Sequence, residues 1–225
     1  MKREIITTAD GSSTIFLPDW DEHYHSKHGA VQEAYHVFIK TGLEHFKQIP
    51  GSPESISILE IGFGTGLNAL ITLFEGRKNT SEINYTGVEA YPVSSEETKQ
   101  LNYSFLFSED DSEVLFQKLH EAPWEEKTNI SDLFYLHKKK LFFTDITDVE
   151  LYDLIYFDAF GPRVQPDLWT EEIFSKMFTA LKPGGVLVTY SAKGSVRRAM
   201  ESVGFKVERL PGPPGKREML RASKK

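Results

Sequence analysis

The densest chemistry in the sequence lies in Glu60-Ile61-Gly62-Phe63-Gly64-Thr65-Gly66. Glycines at 62 and 64 allow a tight turn and let a ligand come against bare backbone, because no Cβ stands in the way. Free amides at the start of the helix that follows favour an anionic group, and a carboxylate fits. An acidic residue two positions before the first glycine asks for a cationic group beside it. Glu60 with the glycine amides therefore suits a ligand carrying both an ammonium and a carboxylate. The spacing is GxGxG and not the GxGxxG of dinucleotide sites.

Three more carboxylates fall in register with this block. Glu89 ends the run Tyr85–Glu89, one βαβ unit after the glycine turn, where a carboxylate binds both hydroxyls of a ribose. Tyr91 beside it offers a ring for a purine. Asp145 ends a strand expected over 141–145 and can accept a hydrogen bond from an adenine amine, or simply cap a turn. Asp158 ends a strand expected over 153–158, ahead of Ala159-Phe160-Gly161-Pro162. It can steer a protonated amine, accept a proton or bind a cofactor's ammonium, while Phe160 and Pro162 offer an apolar wall to a planar base. A ribose, a purine, an ammonium and a carboxylate together describe S-adenosylmethionine. Trp169, in a loop expected over the site, either walls the pocket or packs the following helix.

Basic residues are unevenly placed. Lys193, Arg197 and Arg198 belong to one helix, and Arg209, Lys216, Arg217, Arg221, Lys224 and Lys225 give the C-terminal stretch a positive excess. They read as a phosphate-contact surface or as a solvated face. Lys138-Lys139-Lys140 reads as a loop before a strand. His23, His25 and His28 cluster, but no acidic ligand set completes a metal site, so no metal is expected.

The elements that must position these residues alternate. A hairpin over 4–8 and 13–17, an aromatic and polar stretch over 18–26 and a helix from about 28 to 46 precede a break at Pro50–Pro53. Residues 1–52 are therefore expected as an N-terminal appendage and 53–225 as the core. In the core, strands at 56–61, 83–88, 141–145, 153–158, 186–190, 205–209 and 217–222 alternate with helices near 67–75, 94–103, 111–120, 171–181 and 196–203. Parallel βαβ connectivity follows, except that the short link Pro211–Gly215 makes the last two strands antiparallel. The expected fold is α/β: a mostly parallel, seven-stranded, Rossmann-like sheet with an antiparallel last strand and helices on both faces.

Composition closes other classes. The 225 residues contain no Cys, so disulfide staples and zinc-thiolate sites are out. The net charge of −7 argues against a nonspecific nucleic-acid coat, although it leaves room for a local basic patch. No apolar run reaches the roughly 18 residues of a membrane span, and residues 1–13 lack the apolar stretch of a signal peptide. The expectation is a cytoplasmic protein without a membrane partner.

In this order, Glu60 to Gly66, Glu89, Asp145 and Asp158 resemble the class I S-adenosylmethionine-dependent methyltransferases. A narrower set resembles the methyltransferase part of the MnmC family: Tyr24-His25-Ser26, Glu33, Tyr35–Phe38, Gly62–Asn68, Asp158–Pro162, Pro166–Trp169, Lys182–Gly185, Val196–Arg198 and Lys216–Met219. That likeness implies methylation of the aminomethyl group of 5-aminomethyl-(2-thio)uridine at the tRNA wobble position, with tRNA as partner through its anticodon loop. It implies Asp158 and Phe160 as catalytic. It implies Tyr24, Glu33, Glu60, Gly62, Phe63, Gly64, Gly66, Asn68, Glu89, Ala90, Tyr91, Asp145 and Asp158 around the cofactor. Trp169, Lys193, Arg197, Arg198, Lys216 and Arg217 are implied for substrate or RNA. Many members of that family continue into a flavin-dependent oxidoreductase domain. These 225 residues hold no second glycine fingerprint, so the likeness implies a stand-alone methyl-transfer half whose aminomethyl precursor comes from other enzymes. The rival expectation is a methyltransferase or aminopropyltransferase acting on a small-molecule or protein amine.

Overall fold

Two sheets organise the chain in the computed structural model, which describes residues 2–78 and 80–225. The small antiparallel one joins β1 (Glu4–Thr7), β2 (Ser13–Leu17) and β3 (Glu22–His23). The large one holds β4 (Ser55–Ile61), β5 (Glu82–Val88), β6 (Lys127–Ser131), β7 (Phe134–Lys139), β8 (Tyr152–Phe157), β9 (Leu181–Thr189), β10 (Lys206–Pro211) and β11 (Glu218–Ser223), in the order β10-β11-β9-β8-β4-β5-β7-β6. β9, β8, β4, β5 and β7 run parallel, while β6, β10 and β11 are antiparallel to their neighbours.

Among the described residues the sheet therefore has eight strands and not seven, and the difference lies around Lys138. β7 alternates buried Phe134, Leu136 and Lys138 with half-buried Tyr135, His137 and Lys139. A lysine stands where the alternation asks for an apolar residue, which disguises the strand in the sequence. Lys138 is 1% exposed. Its ammonium donates to the His120 carbonyl at 2.7 Å and lies over the Trp124 ring. Burial without a carboxylate partner pushes it down to about 8. The strand expected at 141–145 is instead a 3-10 turn over Phe143–Asp145. The helix expected over 94–103 shrinks to Ser95–Thr98, capped by Ser94 and Glu97, and a 3-10 turn at Tyr103–Leu106.

β4 from Ile58 onward and all of β8 are buried, and apart from Glu60 and Asp153 these side chains are apolar or aromatic, as suits central parallel strands. The Leu67–Lys78 helix is buried along most of its length. The N-terminal helical rod is α-helical over Ala30–Ala34, π-helical over Tyr35–Glu44 and α-helical again over His45–Lys47. It packs on the sheet through Gly42, whose missing side chain leaves room for Val188 and Tyr156. Phe38, Leu43, Phe74, Tyr156 and Val188 thus share one core cluster. On the other face, the Glu171–Ala180 and Gly194–Ser202 helices enclose a second cluster around Phe157, Phe174 and Met200. Among the described residues, no helix is long and apolar enough to cross a membrane.

The chain order reverses between β4 and β8. The open crevice at their carboxyl ends is where such sheets bind ligands.

Candidate active site

A cavity of about 740 Å³ fills that crevice, a size suited to a nucleoside-containing ligand. Its floor comes from the turn after β4, and Gly62, Phe63, Gly64, Glu60 and Asn68 line it. Gly62 has φ +90°, and a Cβ there would lie 2.8 Å from the Asp158 carbonyl oxygen. Glycine is therefore needed both for the turn and for the approach of the neighbouring strand. The glycine amides are not free, and Gly66 donates to the Phe63 carbonyl. Gly62 and Phe63 both donate to the Val88 carbonyl, and Gly64 donates to Glu89 Oε2 at 3.2 Å. What the turn offers a ligand through these residues is space more than donors.

Glu89 follows β5 and is fixed twice, since its other oxygen accepts from the Tyr91 amide at 2.9 Å. Ala90, Tyr91, Phe142, Phe143 and Thr144 continue the wall. Tyr91 and Phe142 stand edge-to-face at 6.0 Å and are both largely exposed, so they frame the mouth with rings. Asp145 is a correction. It is exposed on the 3-10 turn and does not line the cavity, because the strand meant to present it ends at Lys139. The residues just before it line the wall in its place. Gly66 also lies off the cavity, packed against the His120 and Phe63 rings.

At the bottom, the Asn68 side-chain amide donates to Glu60 Oε1 at 2.8 Å and to Asp158 Oδ2 at 2.9 Å. Burial holds Glu60 well above the usual carboxylate range, against the pull of the Asn68 hydrogen bond. Burial pushes Asp158 up to about 7, with repulsion from Glu33 adding to the rise and Asn68 and Lys216 opposing it. Glu60 Oε2 and Asn68 Oδ1 are buried acceptors without a hydrogen bond. These two unmet oxygens, with the Asp158 carboxylate beside them, fit a cationic donor such as an ammonium.

The Asp158–Phe160 backbone is held from three sides. The Asp158 amide donates to the Ile61 carbonyl, the Tyr190 hydroxyl to the Ala159 carbonyl at 2.8 Å, and Trp169 Nε1 to the Phe160 carbonyl at 2.8 Å. Trp169 is itself 5% exposed and packs on Phe157 at 5.0 Å, so of its two expected roles the packing one is observed. The Phe160 ring stands edge-on to Trp20 at 5.8 Å and to Tyr24 at 5.0 Å. Arg3 ties the small sheet to the other rim through the Tyr91 and Pro92 carbonyls and Glu97. Arg3, Trp20, Phe142, Phe143 and Tyr190 line the cavity without having been expected there. Only Tyr190 carried a signal, its place at the carboxyl end of β9.

A second cavity of about 360 Å³ adjoins the first and shares Tyr24, Asn68, Asp158 and Tyr190 with it. Glu33 and Lys216 line this second cavity and form an ion pair. Glu33, expected beside the cofactor, therefore faces the neighbouring space. Lys193, Arg198 and Arg217 are exposed, Arg197 pairs with Glu201 at 2.8 Å, and none of the four lines either cavity.

A family model described as S-adenosyl-L-methionine-dependent methyltransferase matches residues 115–225, the part that carries Asp158 and Tyr190. Over these residues the chain is similar to the S-adenosyl-L-methionine-dependent methyltransferases. The chain is 30% identical over 232 residues to the tRNA 5-methylaminomethyl-2-thiouridine biosynthesis bifunctional protein MnmC of Cupriavidus necator, covering 98% of this chain and 34% of that protein. The MnmC of Pseudoalteromonas atlantica is 29% identical over 233 residues, covering 96% of this chain and 33% of that protein. The chain thus spans about one third of the length of these curated relatives. Among solved structures it superposes on MnmC2 from Aquifex aeolicus with a TM-score of 0.80 and 28% identity, over 100% of this chain and 70% of that one. Spermidine synthase from Thermotoga maritima shares the fold at a TM-score of 0.54 and 16% identity.

The site suits the cofactor of this family. Glu60 and Asn68 would hold its ammonium, Glu89 its ribose hydroxyls, and the Tyr91, Phe142 and Phe143 rings its base. The bound cofactor supplies a sulfonium methyl, an electrophile that needs an electron-rich acceptor.

Proposed function

We propose that this methyltransferase acts on the aminomethyl group of 5-aminomethyl-(2-thio)uridine at the wobble position of tRNA. One observation carries the reading: Asp158, with its proton affinity raised to the neutral range, stands where two adjoining cavities meet. An alkylamine is mostly protonated near neutral pH, at a pKa of about 10, and only its neutral form can attack. A carboxylate poised near 7 can attract the ammonium, orient it and take its proton, so that the neutral nitrogen has a lone pair with which to attack. The apolar walls from Phe160, Trp20 and Tyr24 exclude water and disfavour the charged amine. Holding the acceptor in line provides most of the remaining acceleration.

The likeness to MnmC proteins supports a tRNA acceptor, and so do exposed Lys193, Arg198 and Arg217, which can contact phosphates around an anticodon loop. The wobble base must leave its stack to reach the cavity. The protein would act in the cytoplasm, after enzymes that generate the aminomethyl precursor.

The test is methyl transfer from labelled S-adenosylmethionine into bulk tRNA of a strain lacking the modification, followed by nucleoside analysis. Label in 5-methylaminomethyl-(2-thio)uridine is expected. Tight cofactor binding with no label in any tRNA nucleoside would move the acceptor to a small-molecule or protein amine.

A further inference from the structure

The second cavity is closed by two segments distant in sequence. Residues 21–28 form one side, and the turn joining β10 to β11 forms the other. His36 Nε2 meets the Pro211 carbonyl oxygen at 2.8 Å, and Gly215 lies so close to the His28 ring that no side chain fits there. This packing fixes the direction of Lys216, which is only about one third exposed. Its side chain turns inward, pairs with Glu33 and places its ammonium 3.8 Å from the centre of the Tyr190 ring. The other Glu33 oxygen accepts from the Ser26 amide at 2.9 Å. The ammonium is thus engaged inside the protein, away from the phosphate-contact role that the sequence suggests for it.

Asp21, Glu22, Glu33 and Asp158 line this cavity, with Asp21 exposed and Glu22 paired with Arg163. An incoming alkylammonium could settle on Glu33 or on Asp158, but of the four only Asp158 also lines the larger cavity. A cation resting on Glu33 would sit away from the methyl donor's side. We propose that Lys216 is a positioning residue for the acceptor: it occupies Glu33 as an internal counter-ion, so that Asp158 is the carboxylate left to receive the amine. The inference rests on the reading of an amine acceptor given above.

The groups around Asp158 agree with this division. Glu60 reaches it from β4, Asn68 from the Leu67–Lys78 helix, and Tyr85 from β5. Tyr190 comes from the end of β9, Glu33 from the N-terminal rod and Lys216 from the β10–β11 turn. Half-buried His25 faces Lys216 and is held neutral, down at about 4, chiefly by desolvation. Among these groups Lys216 supplies the positive charge. Removing it strips Glu33 of its partner and exposes Asp158 to the bare carboxylate.

The test uses the full chain labelled with ¹³Cγ-aspartate. The Asp158 carboxyl resonance is assigned by its loss in Asp158→Asn and titrated in wild type, Lys216→Met, Lys216→Arg, Glu33→Gln and the Glu33→Gln/Lys216→Met double variant. The Asp158 midpoint should rise by about one pH unit in Lys216→Met and stay near wild type in Lys216→Arg. It should fall in Glu33→Gln and return towards wild type in the double variant. An unmoved midpoint in Lys216→Met overturns the proposal. If that variant does not fold, an unmoved midpoint in Glu33→Gln overturns it instead. In the tRNA assay, Lys216→Met should raise the KM for the acceptor at least fivefold and shift the rising pH limb upward. Its affinity for S-adenosylmethionine should stay within about twofold of wild type, because Lys216 does not line the larger cavity. An unchanged KM and pH limb would also overturn it. A wild-type enzyme that leaves aminomethyl-bearing tRNA unmethylated would defeat the proposed function, while the titration would still decide the role of Lys216.

Discussion

Asn68 holds Glu60 and Asp158 on a single amide nitrogen, at 2.8 and 2.9 Å. Glu60 precedes the glycine turn, Asp158 follows β8, and Asn68 lies in the first turn of the helix between them in sequence. The shared donor lets two carboxylates stand together where burial alone would keep both protonated. Asn68→Ala removes it and leaves the pair without a common partner. S-adenosylmethionine should then bind about tenfold to a hundredfold more weakly, a loss of about 1.4–2.8 kcal/mol, measured by calorimetry. Asn68→Asp adds a third carboxylate and should do worse.

The raised affinity of Asp158 for its proton has a signature in stability. Its pKa is about 7 in the folded chain against about 3.9 unfolded. Between these values the folded state binds more protons, so this group's contribution to stability falls as pH rises from about 4 to about 7 and is flat above that. The ceiling is about 4 kcal/mol, and water in the cavity will reduce it. Asp158→Asn should therefore melt higher than wild type at pH 8, with the advantage shrinking towards pH 5, while losing methyl transfer. In wild type the transfer rate should rise with pH through about 7. A pH-independent difference in Tm would show that Asp158 is not perturbed in this way.

Glu89 offers a separate test of the cofactor assignment. Its two oxygens accept from the Gly64 and Tyr91 amides, so the carboxylate ties the glycine turn to the rim of the cavity. Glu89→Ala should weaken S-adenosylmethionine binding at least tenfold. The cost to stability should be no more than about 1–2 kcal/mol, because the site is only half-buried. Glu89→Gln keeps the shape and should fall between.

How much of this can be read from residue order follows from where each residue sits. Glu60, Glu89 and Asp158 are legible because the carboxyl ends of parallel strands converge on one crevice, and strands this apolar announce their ends. The same rule misplaces Asp145. Buried Lys138 interrupts the alternation of β7, so the pattern points instead to the next apolar run, Leu141–Phe143. Trp169 and Lys216 are visible as residue types, but their directions depend on contacts with Phe160, 9 residues away, and with Glu33, 183 residues away. The bridging by Asn68 needs three elements folded together and leaves no trace in spacing.

The exposed basic residues predict a salt signature. Lys193, Arg198 and Arg217 stand outside both cavities. Replacing all three with Ala should leave S-adenosylmethionine affinity and Tm unchanged and weaken tRNA binding. The slope of log affinity against log salt should shrink by about one for each phosphate that the protein ceases to neutralise. An unchanged slope would place the RNA on another face.

The most direct test of amine methylation at Asp158 is turnover of an anticodon stem-loop bearing 5-aminomethyl-2-thiouridine, with the nucleosides resolved by mass spectrometry for wild type and Asp158→Asn. The expected result is one methyl group on the aminomethyl nitrogen with the wild type, and a drop of at least a hundredfold with the variant at unchanged fold. Methylation at any other atom, or equal turnover by Asp158→Asn, would contradict it.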